Sequence, residues 1–511
     1  MTPAPHAMGS SLLHAGQIFL LAYALTTAAT LVGCITSRAR FKRYLTVPFD
    51  GLIWVTLAAI ATWLMGLLLW GWLAIALGAL FGLWMAYVCG TTDPTAGPVA
   101  RRLRGTIIEA SDSPRSQGPS TNGQLTLAGV AVAPLDETKH FKLIGTTGTG
   151  KSTAIRELLQ AALRRGDRAV IADPDAGYLK RFYNPDRGDL ILNPFDPRSV
   201  KWDLFAEIKN PYDFEQLARS LIPDGAGDDR AFRQYAQIFL TAAMRQAHRA
   251  GVLDSAELYR LLVSAPLEEL RLLLEGTPAQ PFVAAGNDRM FGSIRSVTSS
   301  AVASLSYINT QRSSLFSLRQ WVNEGRGVLF LTYQVDQIAA LHSMISTWMR
   351  LAIFETMNLP EGDVRLWFII DELDALGPID GLKDALARLR KFGGRCVLGF
   401  QSIAQISGTY GRGEGETIVE NCGNTLILRC SASEGGGTAQ FASRLIGERE
   451  IIRPQISKSR RPEELRSTKT MSEHHVTEAA VLPSQIEQLP DLCGYLKVAS
   501  QPRWLRVQLR P

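Results

Sequence analysis

The pattern of polar and apolar positions divides the chain. Positions 1–37 carry no Lys, Arg, Asp or Glu, and neither do positions 51–92. In the first block, Ile18 to Ile35 is an apolar run as long as a bilayer core requires. The second block, at ~1.5 Å per residue, would be roughly twice that thickness as one helix. It therefore predicts two helices turning near Gly71-Trp72. Several of Trp54, Trp63, Trp70, Trp72 and Trp84 suit an interfacial belt. A basic stretch follows each block: Ser37-Arg-Ala-Arg-Phe-Lys-Arg43 and Ala100-Arg-Arg-Leu-Arg104. Such stretches favour the cytoplasmic side, which demands an even number of crossings between them. The expectation is three crossings with the N-terminus outside. The rivals are two crossings with part of the second block in the interface, and a buried helical hairpin of a soluble protein. A cleaved signal peptide does not fit, for want of a basic n-region and a small-residue cleavage site.

Residues 93–124 are rich in Thr, Pro, Gly, Ser and Asn, show little apolar periodicity, and read as a linker. From residue 125 short apolar runs alternate with helical patterns. The runs are Lys142-Leu-Ile144, Arg168-Ala-Val-Ile-Ala-Asp173, Leu190-Ile-Leu192, Gly327-Val-Leu-Phe-Leu-Thr332, Leu366-Trp-Phe-Ile-Ile370, Arg395-Cys-Val-Leu-Gly-Phe400 and Thr425-Leu-Ile-Leu-Arg429. Helices fall between them, as at 338–357 and 379–391. This alternation predicts an α/β fold with a mainly parallel sheet and helices on both faces. From about 212 to 310 the pattern is helical throughout, which predicts an all-α domain inserted into the core. The expected division is a transmembrane anchor at 1–92, a linker at 93–124, a first nucleotide-binding part at 125–205, the all-α domain at 206–312 and a second nucleotide-binding part at 313–511.

Composition changes this picture little. Hydrophobic residues make up 46% of 511, an excess that sits in the N-terminal blocks. A net charge of +6 permits contact with nucleic acid or anionic lipid without specifying either. The six cysteines, Cys34, Cys89, Cys396, Cys422, Cys430 and Cys493, form no CxxC pair, so neither a zinc site nor a disulfide framework is indicated. The soluble part reads as cytosolic.

Chemistry enters at Gly145-Thr-Thr-Gly-Thr-Gly-Lys-Ser152, which follows a strand and opens a helix marked by Ala154, Ile155, Leu158, Leu159 and Ala162. In that context the glycines let backbone N–H groups converge on phosphates, and the helix N-terminus adds positive potential. Gly145, Thr146, Thr147, Gly148, Thr149, Gly150, Lys151, Ser152 and Thr153 are the candidate ATP-binding residues. Lys151 reaches the outer phosphates and Ser152 holds Mg²⁺. A P-loop needs an acid on a neighbouring strand, and the run ending in Asp371-Glu372 supplies two. Asp371 is expected to hold Mg²⁺ through water and Glu372 to polarise the attacking water. Gln401, at the tip of the next strand, stands where it could sense the γ-phosphate. Asp173 and Asp175 flank a turn near the same side. The segment 452–475, with Lys458, Arg460, Arg461, Arg466 and Lys469, reads as a solvated loop; DNA phosphates are the alternative contact. His474-His475 has no evident ligand set and reads as part of that loop.

These motifs recur in order. After the P-loop come Arg165-Gly-Asp-Arg-Ala-Val-Ile-Ala-Asp-Pro174, Ile191-Leu-Asn-Pro-Phe-Asp196 and Trp202-Asp-Leu-Phe205. Phe368-Ile-Ile-Asp-Glu-Leu373, Arg390-Lys-Phe-Gly-Gly394, Leu398-Gly-Phe-Gln-Ser402, Val481-Leu-Pro-Ser484 and Leu489-Pro-Asp-Leu492 follow. The set resembles the type IV secretion coupling proteins of the TraD/TrwB type, from about residue 135 to near the C-terminus. The resemblance implies a RecA-like core related to the FtsK/HerA translocases and a homohexamer with a central channel. It also implies a multi-pass anchor in the bacterial inner membrane, with the ATPase in the cytoplasm. Such a protein links the relaxase and its plasmid DNA to the type IV secretion channel proteins. Gln401 matches the family's third conserved glutamine, and Arg390 an arginine proposed to reach a neighbouring subunit's ATP. A helix-end arginine capping its own carbonyls is the other reading of Arg390. Lys139 stands where some relatives carry arginine, and lysine lacks the bidentate fork. The leading function is a DNA-transferring ATPase; the alternative is a substrate receptor whose ATPase gates protein docking. A chromosome-partition translocase fits less well, since a DNA-reading winged-helix tail is lacking and a helical domain is inserted.

Overall fold

A computed structural model of the chain describes residues 5–36, 44–66, 71–91, 101–110, 124–225, 229–362, 364–433, 437–459 and 468–510. The contacts divide it into two units, residues 1–103 with 451–476 and residues 104–450 with 477–511.

The charge-free blocks of the first unit fold as three helices: α1 (Pro5–Thr36), α2 (Val47–Gly66) and α3 (Gly71–Thr91). Each packs against the other two. Thr26 Oγ1 of α1 donates to Gly51 O of α2 at 3.1 Å, and Tyr23 donates to Pro48 O at 3.1 Å. A Cβ at Gly82 would lie 2.6 Å from Ala58 Cβ, so glycine allows α3 and α2 to approach closely. The second block thus forms two helices, as its length required; the turn expected near Gly71-Trp72 is not there, since α3 already begins at Gly71, and residues 67–70 lie outside the described residues. Among the described residues one segment, Gln17–Thr36, is long and apolar enough to cross a membrane; Val47–Thr62 and Ile75–Cys89 are apolar but shorter. The basic residues 38–43 lie outside the described residues.

The seven apolar runs of the second unit, with three strands not read from the sequence (β1, β9 and β10), form a ten-stranded sheet: β1 (Ile108–Ala110), β2 (Phe141–Ile144), β3 (Arg168–Pro174), β4 (Leu190–Ile191), β5 (Val328–Tyr333), β6 (Leu366–Ile370), β7 (Gly394–Phe400), β8 (Asn424–Ile427), β9 (Cys493–Lys497) and β10 (Trp504–Gln508). Their order is β1-β10-β9-β8-β2-β7-β6-β3-β5-β4. From β8 to β4 every neighbour is parallel. Only β8–β9 and β9–β10 are antiparallel. Alternate residues of each strand feed opposite faces. Phe141, Leu143, Ile171, Phe330, Trp367 and Val397 join the core beneath α4 (Lys151–Arg164), whereas Val170, Leu331, Phe368 and Leu398 join the core on the other face. Burial on both faces is why these strands read as unbroken apolar runs.

The second core continues without interruption into the helical stretch α5 (Asp213–Leu221), α6 (Asp229–Arg249), α7 (Ser255–Val263), α8 (Leu267–Leu273), α9 (Asp288–Val302) and α10 (Leu305–Asn309). A parallel pairing of Lys201–Trp202 with Leu315–Phe316 brackets that stretch. Helices α11 (Leu318–Glu324) and α12 (Ile338–Thr356) follow it, and α13 (Leu382–Leu389) comes after β6. Arg350 on α12, almost wholly buried, donates to Ser220 Oγ (2.8 Å) and Gln216 Oε1 (3.1 Å) of α5 and pairs with Asp380 (3.2 Å).

Two spans differ from their reading in the sequence. The region read as linker carries Arg101–Gly105 and β1, which pairs parallel with β10. The segment read as loop forms Glu448–Ser459 and Thr468–Ala479, joined with Arg101–Gly105 in a three-stranded sheet. His474 and His475 lie on its last strand. Where their side chains are described, these strands are mostly exposed or half-buried, with Ile451 buried, so they accept polar residues and show no apolar alternation.

Candidate functional site

The P-loop spans the gap between the end of β2 and the start of α4. Gly148 (φ 78°) and Gly150 (φ 114°) are left-handed, a conformation open to glycine. A Cβ at Gly150 would also fall 2.8 Å from Leu492 Cδ2. The C-terminal Leu489-Pro-Asp-Leu492 segment thus braces the loop. Leu492 N–H donates to Thr149 O at 3.0 Å, and Asp491 pairs with Arg429 at 2.7 Å. Lys151 Nζ is buried and donates to Gly145 O (2.5 Å) and Thr146 O (3.4 Å). Burial depresses its proton affinity, and Asp371 and Glu372 oppose that.

Strand register brings the other residues to this loop. Phe400 of β7 lies opposite Ile144 of β2, so Gln401 and Gly145 leave the sheet side by side. Ile370 of β6 lies opposite Leu398 of β7 and Ala172 of β3, which puts Asp371 level with Gly399 and Asp173. Gly399 is required there, because a Cβ would sit 2.2 Å from Asp371 O. Asp371 Oδ2 accepts from Ser152 Oγ at 2.6 Å and from the buried Tyr178 hydroxyl at 2.8 Å. Gln401 Nε2 donates to Glu372 Oε1, and Gln401 Oε1 accepts from Thr147 Oγ1 at 3.0 Å. Burial, aided by the charge of Asp374, raises the pKa of Glu372, and the Gln401 bond opposes it.

Tyr178 is placed by the turn after β3. Asp175 and Ala176 take left-handed φ values of 56° and 52°. The buried Asp173 carboxylate accepts from the N–H of Tyr178 (2.9 Å) and of Leu179 (2.7 Å). Burial pushes Asp173 up to about 6 against these bonds. Asp173 is thus a brace for the turn, and Asp175 is the one of the pair that lines the cavity.

The cavity has a volume of about 430 Å³. Thr147, Gly148, Gly150, Lys151, Ser152 and Thr153 line it from one side; Asp371, Glu372, Gln401, Asp175, Tyr178 and Arg156 complete the wall. The donor set fits a nucleotide with a divalent cation. Among the described residues no trio of His, Cys, Asp and Glu could hold a metal alone. The Ser152 hydroxyl would instead ligate the cation, with the Asp371 carboxylate holding it through water, and the rest of the shell is left to phosphate oxygens and water. Arg156 adds a cation whose Nε is buried without a hydrogen-bond partner.

Arg390 and Lys139 are elsewhere. Arg390 is exposed in the turn before β7, whereas Gln401 follows that strand's seventh residue. At ~3.3 Å per residue they are roughly 20 Å apart, at opposite edges of the sheet. Lys139 precedes β2 on the Arg390 edge and pairs with Asp136 at 2.8 Å.

Comparison with known proteins agrees with this geometry. Residues 124–510 match the model of the type IV secretion-system coupling protein DNA-binding domain. The chain belongs to the type IV secretion-system coupling protein family. It is 31% identical over 368 residues to the coupling protein TraD of Escherichia coli (strain K12), covering 70% of this chain and 51% of TraD. This coupling protein therefore spans about half the length of that relative. Its fold resembles the bacterial conjugative coupling protein TrwBΔN70 in its unbound form, with a TM-score of 0.72, 33% identity, and coverage of 81% of this chain and 95% of that one. TrwB in complex with ADP and Mg²⁺ matches with a TM-score of 0.70, 33% identity and the same coverage. Tyr178, Arg156 and Gly399 went unnoticed in the sequence. Arg156, one turn beyond Ser152 on α4, could have been found from its helical spacing; no motif marks Tyr178.

Proposed function

We propose that this coupling protein hydrolyses ATP with Mg²⁺ in the P-loop cavity, and that turnover drives or licenses export of DNA through a type IV secretion channel. The observation that carries the reading is the run of contacts Thr147–Gln401–Glu372 beside the Ser152–Asp371 pair. TrwB, captured with ADP and Mg²⁺ and with an ATP analogue, supports it.

Mg²⁺ held by Ser152 and Asp371 would neutralise charge on the outer phosphates. The P-loop N–H groups and Lys151 bind those phosphates. Glu372 accepts a proton from the attacking water, and its burial favours that role by raising its basicity. Gln401 holds Glu372 and, through Thr147, ties it to the loop that contacts phosphate. Arg390 is too far from its own subunit's cavity to act there, which supports action on a neighbour's nucleotide in a homohexameric ring. Helices α1–α3 anchor the chain in the inner membrane as a multi-pass protein with the ATPase in the cytoplasm. Residues 206–312 serve as the all-α domain. The partners are the relaxase with its plasmid DNA and the channel proteins.

The test is ATP turnover with and without DNA. Glu372→Gln should lower turnover by at least about 10²-fold, since general-base catalysis contributes that much, while ATP binding persists. Single- or double-stranded DNA should stimulate the wild type. Turnover that DNA leaves unchanged at every salt concentration would sink the DNA-transfer reading and leave the protein-docking receptor.

A further inference from the structure

Among the described residues in the wall of the nucleotide cavity, Lys151 and Arg156 carry positive charge. They reach it from different places. Lys151 Nζ is held at Gly145 O, where β2 ends. The Arg156 guanidinium lies over the Tyr178 ring, 5.9 Å from its centroid, and Nη2 would stand 3.9 Å from a Cβ at Gly177, in the turn after β3. Strands β7 and β6 lie between β2 and β3, so at ~4.8 Å per strand the two walls are roughly 14 Å apart. Helix spacing accounts for the placement. Ser152 and Arg156 stand at i and i+4 on α4, and Thr153 shares that face three residues before Arg156. Helical side chains lean toward the N-terminus, so Arg156 extends back toward the phosphate loop.

Arg156 is half-buried and its Nε is wholly buried, yet among the described residues it has neither an ion pair nor a side-chain hydrogen bond. The acids around it are engaged elsewhere. Glu157 accepts from Thr126 Oγ1 (2.6 Å) and from the N–H groups of Ala128 and Gly129 (both 2.9 Å). Asp173 accepts from the N–H groups of Tyr178 and Leu179, and Asp371 Oδ2 from Ser152 and Tyr178. Asp175 lines the same cavity and forms no ion pair with Arg156 among the described residues. A buried donor without an acceptor is unfavourable and is satisfied by a ligand that brings one. Tyr178 gives the guanidinium a fixed face to lie over, because its hydroxyl and its N–H are both bonded. A guanidinium stacked on a ring keeps its in-plane N–H groups available, and that fork matches phosphate oxygens in pairs.

We propose that Arg156 is a phosphate ligand of the bound nucleotide, taking its oxygens from the Tyr178 wall while Lys151 takes them from the P-loop. The proposal rests on the reading that ATP occupies the P-loop cavity. It gives Tyr178 two tasks: the hydroxyl orients Asp371, and the ring seats the guanidinium.

The full chain in detergent would be titrated calorimetrically with a non-hydrolysable ATP analogue and, separately, with inorganic tripolyphosphate, each with Mg²⁺. Arg156→Gln should weaken both by about tenfold or more, as loss of a charge-assisted hydrogen bond predicts. Arg156→Lys keeps the charge without the fork and should recover part of that loss for both ligands. Unchanged affinities in Arg156→Gln would overturn the proposal. A loss confined to the ATP analogue would overturn it as well, since it would assign the guanidinium to the base or the ribose. Thermal unfolding without nucleotide separates binding from packing. Equal losses in the Gln and Lys variants, together with a lowered unfolding temperature, would make Arg156 a packing residue and overturn the phosphate contact. A failed P-loop reading would show itself separately, as a Lys151→Ala variant that binds the analogue like the wild type.

Discussion

Tyr178→Phe isolates one contact of the nucleotide cavity. The tyrosine ring is buried and its hydroxyl donates to Asp371 Oδ2 at 2.8 Å, the same oxygen that accepts from Ser152 at 2.6 Å. Phenylalanine retains the ring, so the packing against α4 survives and only the donor is lost. A hydrogen bond to a charged group is worth about 1.5–3 kcal/mol. Converted through the affinity relation, that is about 10–150-fold in a binding constant. An independent comparison gives the same range: losing an outer-shell hydrogen bond around a metal site typically costs about 10–100-fold in metal affinity. The expected result is a half-saturating Mg²⁺ concentration for ATP turnover raised by about 10–100-fold, with turnover at saturating Mg²⁺ within a few-fold of wild type. Mg²⁺ titrations of ATP hydrolysis on the purified full-length protein measure it. An unchanged Mg²⁺ requirement combined with a collapse of the maximal rate would refute the argument, since it would place the hydroxyl in the chemical step.

Three further outcomes follow from the same geometry. Arg390→Ala should abolish most turnover while ATP binding is retained, as measured by fluorescent-nucleotide titration; lost binding would indicate a structural role for the arginine. Gly399→Ala forces a Cβ toward Asp371 O, which it would meet at 2.2 Å. It should cost about 1–3 kcal/mol of stability, read by thermal unfolding, and depress turnover by displacing Asp371 and Glu372. His140 is neutral by geometry: its Nδ1 accepts the Cys396 N–H at 3.1 Å and its Nε2 donates to Leu386 O at 2.9 Å. Burial pushes it down to about 4 from 6.5. A depressed folded value means that the stabilisation is intact above pH 6.5 and is lost as pH falls through about 4, in all about 3 kcal/mol. Asp173, raised to about 6, acts with the opposite sign, so the measurement is the difference between wild type and His140→Gln in denaturant midpoint from pH 7 to 4. A constant difference across that range would count against the buried neutral imidazole.

The parts of the fold legible in the sequence are those whose environment leaves a local mark. Strands β2, β3, β5, β6 and β7 are buried on both faces, and their composition says so without reference to anything distant. The charge-free blocks announce their helices in the same way. Strands β1, β10 and β9 form one margin of the ten-stranded sheet, and Glu448–Ser459 and Thr468–Ala479 belong to a three-stranded sheet whose described side chains are mostly exposed or half-buried, so the apolar periodicity fades. Their pairing partners decide them, and β1 meets β10 from nearly four hundred residues away.

The nucleotide cavity follows the same logic one level up. Each motif could be recognised locally: glycines at the P-loop, two acids after an apolar run, an amide at a strand tip. What makes them a site is register. One pairing, Ile144 with Phe400, sets Gln401 beside Gly145, and a second, Ile370 with Leu398, sets Asp371 against Gly399. Shifting either by a single residue would turn every side chain on that strand to the other face and separate Glu372 from Gln401. Register depends on how two cores fill on either side of the sheet, which no local pattern records. Tyr178 shows the limit most plainly. Its hydroxyl reaches Asp371 only because Asp173 holds the turn at Tyr178 and Leu179, and because β3 and β6 are adjacent. A residue whose importance rests on two other strands carries no signature of its own, and the hydrogen bond to Asp371 is the observation that assigns it a role.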